Sequence, residues 1–218
     1  MLERMDDFFS ARVQGYDNHM RETIEGAGSF YRFTASLLPS EERSRVLDLG
    51  CGTGLELEEY FAVNPGAAIT GIDLTQAMLD ALRAKFPDKD LTLICGSYFL
   101  EPFGEDQFDA AVSVESLHHF TKEEKIPLYT KLRNALKNGG YFILTDYFAE
   151  SDEQEVFFRQ ELERLRKEQE LRDDVFYHYD TPLTVEHETE ALTAAGFTSV
   201  EVMGRWETTY TLKAVKQA

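Results

Sequence analysis

The sequence predicts an α/β chain, and three observations predict it. An apolar run at 46–49 ends abruptly in glycines at positions 50, 52 and 54. Further short apolar runs at 68–73, 91–94, 108–114 and 141–146 are separated by stretches of helical spacing, the pattern of strands joined through helices. A length of 218 residues with 43% hydrophobic content is enough to bury a sizeable core. One domain is expected over 1–218, with helical segments at 1–40 and 150–183 as its appendages.

Charge narrows the partners. Lys and Arg number 22 against 40 Asp and Glu, a formal charge of −18. Such a surface repels phosphate backbones and anionic membranes unless a basic patch is concentrated somewhere. The cationic cluster Arg164, Arg166 and Lys167 is interleaved with glutamates, so neither nucleic acid nor membrane is an expected partner. Cys51 and Cys95 lie in or beside apolar strands without metal-ligand spacing and are read as small buried residues in a reducing compartment. The first seven residues are acidic, and no run approaches the ~18 apolar residues that span a bilayer. A cytoplasmic location is expected.

Each element follows in turn. Between 6 and 38, Phe8, Phe9, Val13 and Tyr16 mark one helical face and Ile24, Phe30, Phe33, Leu37 and Leu38 a second, with interruptions at Gly15 and Gly26. The run at 46–49 reads as a buried strand. The glycines after it let the backbone turn sharply and lie against a ligand, and a helix from about Gly54 would aim its free N–H groups back at that ligand. The next strand, 68–73, ends at Asp73, 19 residues beyond Gly54. A carboxylate at that strand end can accept two hydrogen bonds from ribose hydroxyls, or serve as an ordinary acid at a helix N-terminus, with Thr75 able to cap that helix itself.

A third strand at 91–94 leads into Cys95, Gly96, Ser97 and Tyr98. A fourth, 108–114, is followed by Glu115, Ser116, Leu117, His118, His119 and Phe120. Ligands of open α/β sheets sit outside the carboxyl ends of the strands, so Glu115, His118 and His119 are well placed to meet one. Adjacent histidines diverge by about 100° on a helix, and with no further Cys or His to complete a set, no metal site is expected. Thr121 and Glu124 form a capping box ahead of Leu128, Leu132 and Leu136. Pro127 should interrupt this stretch, so that the main helix begins near the proline, runs to Asn138-Gly139-Gly140 and precedes a fifth strand at 141–146.

A charged, solvated helix is expected at 152–172. The loop at 175–182 holds Phe176, Tyr177, His178 and Tyr179. It either closes over a substrate or staples the charged helix down, and His178 becomes a candidate base if the loop reaches the site. Thr184 caps a helix at 185–195 ended by Gly196, and 200–203 and 208–215 supply the last two strands.

The glycine spacing does not fit a dinucleotide fingerprint, because the third glycine comes one residue early and Leu55 holds its place. The stretch instead resembles the first motif of the class I S-adenosylmethionine-dependent methyltransferases, whose apolar-x-Asp-x-Gly-x-Gly-x-Gly pattern is met by Leu47, Asp48, Gly50, Gly52 and Gly54. The resemblance extends from 46 to 215. It implies an open, mostly parallel seven-stranded sheet with helices on both faces, the last strand antiparallel, an N-terminal helical lid and a helical insertion after strand five. It also implies S-adenosylmethionine as cofactor, held around Asp48, Gly50, Cys51, Gly52 and Gly54, with Asp73 on the ribose and Leu74 and Met78 either toward the adenine or in the core. Ser97 stands where the family usually has an acid on the adenine amino group, beside Tyr98, and Glu115 would complement the cofactor's positive end. Tyr16 either approaches the methionine end or packs its helix on the domain. Of catalytic candidates there are three: His118, His119 and His178. The implied function is methyl transfer by in-line displacement to a small-molecule acceptor, by a monomer or homodimer, with a protein or RNA methyltransferase and a non-catalytic cofactor-binding regulator as alternatives.

Overall fold

A computed structural model of the chain describes residues 1–172 and 174–217; Asp173, within the expected insertion, and Ala218 lie outside the described residues. Strands β1 (Arg45–Leu49), β2 (Ala68–Asp73), β3 (Asp90–Cys95), β4 (Phe108–Val114), β5 (Leu136–Tyr147), β6 (Ser199–Trp206) and β7 (Thr209–Val215) form one seven-stranded sheet. Their order is β3-β2-β1-β4-β5-β7-β6. Strands β1 to β5 run parallel, and β7 is antiparallel to both of its neighbours, so the last strand is the reversed one.

The inner strands are buried on both faces, and alternate residues feed two cores. Val46, Ile69, Ala110 and Ile143 point to one side, where they meet α3 (Ala27–Ser36), α4 (Leu55–Val63) and α5 (Gln76–Lys85) through Phe30, Tyr60 and Leu82. Leu47, Ala111, Phe142 and Leu212 point to the other, against α6 (Lys122–Ala135) and α8 (Val185–Ala194) through Leu132 and Leu192. The N-terminal helices α1 (Met5–Arg12) and α2 (Tyr16–Thr23) and the long α7 (Asp152–Glu168) complete the chain. Among the described residues no helix is long and apolar enough to cross a membrane.

Four local expectations need correction. Pro127 lies inside α6, which runs unbroken from its capping box at Thr121 and Glu124. A proline inside a helix costs about 3 kcal/mol. Burial of Leu128, Tyr129 and Leu132 at 2% exposure or less recovers roughly 1.5–3 kcal/mol each, so packing wins. Asn138-Gly139-Gly140 does not end the helix, which stops at Ala135; it forms an irregularity early in β5, where the register with β4 shifts between Phe108 and Ala110. Thr75 stands at the N-cap position of α5 but makes no side-chain cap; its own N–H is donated to the Asp73 carboxylate at 2.8 Å. Cys51 is buried as expected, but Cys95 is exposed, since β3 is an edge strand with an open side.

Candidate active site

The chain builds β1, β2 and β3 outward to one side, then crosses back to place β4 on the other side of β1. Loops leaving β1 and β4 therefore part in opposite directions and open a crevice at the carboxyl edge of the sheet, where α/β proteins hold ligands. Two cavities occupy that edge. The smaller, about 50 Å³, is walled by Gly50, Gly52, Asp73, Leu74, Met78 and Tyr98. The larger, about 810 Å³, lies between the N-terminal helices, the turn after β4, the loop at 175–182 and the β6–β7 turn. Phe9, Tyr16, Glu115 and His119 line both.

The glycine turn is shaped by contacts on either side. Gly50 has a φ of 75° and donates its N–H to the Ile72 carbonyl at 2.8 Å; a Cβ there would lie 2.1 Å from the Ser116 hydroxyl oxygen. Gly52 is different. A Cβ on it would meet nothing nearer than 3.9 Å, so its backbone borders open space. Its N–H is held at 3.0 Å by Asp73 Oδ2. Each Asp73 oxygen accepts one backbone N–H, from Gly52 or Thr75, and keeps a second lone pair for a ligand. Burial raises the Asp73 carboxyl, and the two backbone bonds oppose the rise. An open glycine cradle, a carboxylate with spare acceptor capacity and an apolar wall of Leu74, Met78 and Tyr98 suit an adenosyl group.

Not every residue expected at the cofactor reaches the cavity. Tyr16, Gly50, Gly52 and Asp73 line the smaller one, as do Leu74, Met78, Tyr98 and Glu115. Asp48, Cys51, Gly54 and Ser97 do not. Cys51 is turned into the sheet, its sulfur filling the space over Gly71. Gly54 lets α4 start tight against Leu82 and Phe86 of the neighbouring helix region. Ser97 turns its hydroxyl to the Phe99 N–H at 3.3 Å. Asp48 is 1% exposed beneath the turn.

Asp48 shares its burial with Glu56. Burial pushes the Asp48 carboxyl well above the usual carboxylate range, and the Glu56 charge and hydrogen bond push it further. Glu56 is raised by burial as well, less so because Asp48 donates to it. The folded pair therefore keeps a proton that the unfolded chain releases near pH 4, and stability falls as pH rises above that point by up to about 1.4 kcal/mol per unit. Asp48→Asn, which keeps the neutral form, should match or exceed the natural protein in urea denaturation at pH 8 while losing that advantage at pH 5. Equal destabilisation at both pH values would refute the shared proton.

At the larger cavity, Glu115 adopts a φ of 49°, unusual for a residue other than glycine, and accepts a hydrogen bond from the Thr209 hydroxyl at 3.2 Å. Burial, with the nearby Asp146 charge, pushes its carboxyl up to about 8. His118 and His119 sit in a single 3₁₀ turn, Leu117–His119. Burial disfavours a His118 cation, but Asp146 at 2.5 Å from Nδ1 and Asp180 near Nε2 outweigh it and hold the ring well above the ordinary histidine value. His119 is lowered by burial and by its charged neighbour. The loop at 175–182 reaches the site: His178 stacks on Phe8 with ring centroids 3.6 Å apart and comes within 5.1 Å of His119. Burial and the neighbouring imidazoles lower His178 to about 4. The same loop is stapled as well, since Phe176 packs on Phe99 and Phe120.

Sequence reasoning passed over Asp146, Asp180 and Trp206. Asp146 ends the fifth strand at its carboxyl end, the position that singled out Asp73 and Glu115, so a signal was available. Asp180 and Trp206 reach the cavity from a loop and a hairpin whose paths no local pattern reveals.

A family model described as a methyltransferase domain matches residues 46–140. A sterol 24-C-methyltransferase of Gibberella zeae is 29% identical over 163 residues, 70% of this chain and 39% of that protein. The chain spans 39%, 26% and 37% of the first three curated relatives it matches. Of solved structures, phosphoethanolamine N-methyltransferase 2 of Haemonchus contortus in complex with S-adenosylmethionine superposes with a TM-score of 0.71 at 16% identity, covering 98% of this chain and 60% of that one. Human N-acetylserotonin methyltransferase in complex with the same cofactor gives 0.68 at 16% identity, covering 96% and 57%. At those identities the likeness is one of fold. The strand order and reversed last strand are those of the class I methyltransferase fold, residues 46–140 match a methyltransferase domain, and S-adenosylmethionine is the cofactor of the methyltransferases this chain resembles.

Proposed function

We propose that this chain transfers a methyl group from S-adenosylmethionine to a small-molecule acceptor. The observation that carries the reading is the junction of the two cavities at Phe9, Tyr16, Glu115 and His119. A narrow cradle suited to an adenosyl group opens onto a chamber large enough for a second molecule, and the two meet where polar groups converge. Relatives named for a sterol and for fatty acids support an acceptor of small-molecule size. The formal charge of −18 disfavours RNA as the acceptor. Free cysteines at 51 and 95 fit a reducing compartment such as the cytoplasm.

When bound, S-adenosylmethionine supplies a methyl group already activated on a cationic sulfonium. The protein's tasks are then to position, to exclude water and to manage a proton. Gly52 and Asp73 would hold the nucleoside end. Leu74, Met78 and Tyr98 would wall the adenine. Glu115, nearly neutral at pH 7 on its own, becomes a carboxylate more readily beside a cation and so complements it. His118 already carries a proton and is no base, whereas His119 and His178 present neutral rings to the chamber.

Residues 1–40 act as a lid in this reading. The cradle's 50 Å³ is far below the ~300 Å³ of a small ligand pocket, and Met5, Phe9 and Tyr16 from the N-terminal helices close it. Those helices must shift to admit a cofactor. They are tied to the aromatic loop through Met5 N–H to the Phe176 carbonyl at 2.9 Å and His178 N–H to the Glu3 carbonyl at 3.0 Å.

The deciding experiment is incubation with methyl-labelled S-adenosylmethionine and a cell extract split by ultrafiltration. Label transferred only with the small-molecule fraction is expected; label on macromolecules would overturn the acceptor class, and cofactor binding without turnover on any fraction would point to a regulator. Asp73→Ala should weaken cofactor binding by at least ~1.5 kcal/mol, the scale of a hydrogen bond to a charged group. Calorimetry showing unchanged affinity would remove Asp73 from the site.

A further inference from the structure

His118, His119 and Asp180 make an arrangement that methyl transfer does not by itself require. His118 Nε2 lies 3.5 Å and His119 Nδ1 lies 3.2 Å from the same oxygen, Asp180 Oδ1. All three atoms fall within 4.8 Å of one another. Metal–nitrogen bonds of about 2.0–2.1 Å at tetrahedral angles set ligand atoms about 3.3 Å apart. The two measured edges bracket that value.

The surroundings point the same way. His118 directs its other nitrogen, Nδ1, at the buried Asp146 carboxylate, 2.5 Å away, which is itself fixed by the Leu117 N–H at 2.8 Å. A carboxylate behind an imidazole fixes the ring's orientation and keeps a proton on Nδ1, so that an ion displacing the Nε2 proton of the metal-free ring finds that nitrogen turned outward as a ligand, the common second layer of a metal site. His119 Nδ1 also lies 3.2 Å from the Tyr179 carbonyl, so its ring proton must sit on Nε2 for Nδ1 to serve as a ligand. All three residues line the larger cavity, so the cavity side of an ion held by them stays open. Three protein ligands and one open position are the composition of a catalytic site rather than a structural one. Two imidazoles and one carboxylate, without sulfur, suit zinc and other divalent first-row ions; magnesium and calcium prefer oxygen throughout.

We propose that His118, His119 and Asp180 bind one divalent first-row transition-metal ion, with its open position facing the acceptor chamber. The assignment of that chamber to an acceptor rests on the function proposed above; the ion site does not. An acceptor hydroxyl that coordinates the ion becomes more acidic and gives its proton to water, which selects for acceptors with a metal-binding oxygen. The ion thereby takes over a task that would otherwise need a side-chain base.

The test uses the full chain without an affinity tag, stripped by a chelator and titrated with Zn²⁺ by calorimetry and with Co²⁺ by visible absorption. One saturable ion per chain with a Co²⁺ ligand-field spectrum is expected. Asp180→Asn and His119→Ala should each weaken binding at least tenfold, and Asp146→Asn by 10- to 100-fold. The Asp180 side chain is 46% exposed, so its variant should fold, and S-adenosylmethionine binding measured on every variant checks that it has. No saturable uptake, or uptake unchanged in Asp180→Asn and His119→Ala, would overturn the site. Ion binding without methyl transfer to any fraction would leave the site standing and sink the function; methyl transfer by a chain that binds no ion would do the reverse.

Discussion

Gly50→Ala is expected to abolish useful cofactor binding and to destabilise the fold together. A side chain at a φ of 75° costs about 1–2 kcal/mol through contact with the following carbonyl. The added Cβ would also lie 2.1 Å from the Ser116 hydroxyl oxygen and 2.7 Å from its Cβ, an overlap that must be relieved by moving one loop or the other. Overpacking of that kind costs a further ~1–3 kcal/mol. Because Gly50 and Ser116 belong to the loops after β1 and β4, either movement distorts the crevice. S-adenosylmethionine affinity should fall at least tenfold, read by calorimetry, with a lower midpoint in thermal unfolding. Ser116→Gly in the same chain should recover the steric part and leave the backbone cost. Native affinity in the single variant would show that the turn tolerates a side chain and that the cradle is drawn wrongly.

Glu188→Ala should produce the larger loss of stability. Lys125 and Glu188 are each 1% exposed, and Lys125 Nζ sits 2.5 Å from Glu188 Oε2. Tyr129 donates its hydroxyl to the other carboxylate oxygen. Removing the carboxylate strands a buried ammonium and a buried hydroxyl between α6 and α8, a cost of about 3–5 kcal/mol. For a chain of this size that corresponds to a fall in Tm of roughly 6–20 °C. Replacing both charges, as Lys125→Met with Glu188→Leu, should restore the part due to the stranded ammonium and leave the part due to the Tyr129 hydroxyl, because an apolar pair avoids the desolvation that the ion pair must overcome. A double variant no more stable than Glu188→Ala would mean that shape, not charge, governs this contact.

Local sequence carried far in this protein wherever a structure is made by neighbours in the chain. The strand at 46–49, the glycines, Asp73 at the end of β2 and the capping box at Thr121 are all marked by the composition and spacing of a few neighbouring residues, and each stands where that spacing predicted. Pro127 shows the limit of the same reasoning. Its local cost is real, but the decision lay with Leu128, Tyr129 and Leu132, whose partners come from elsewhere. Ser97 and Cys51 show a second limit. Position relative to a motif says that a side chain is near a turn, and says nothing of which way it points.

By itself the sequence determined the α/β class, the positions of most strands and the glycine turn, because apolar periodicity and backbone preference are local properties. Tertiary structure alone decided what surrounds the turn. Pairing of Val114 with Thr145 in adjacent parallel strands brings the strand ends that carry Glu115, His118 and Asp146 side by side. The bond from Thr181 N–H to the His118 carbonyl, at 2.8 Å, anchors the aromatic loop so that Asp180 completes the cluster. Those juxtapositions depend on sheet register and loop docking, and both are set by the whole core rather than by any stretch of the chain.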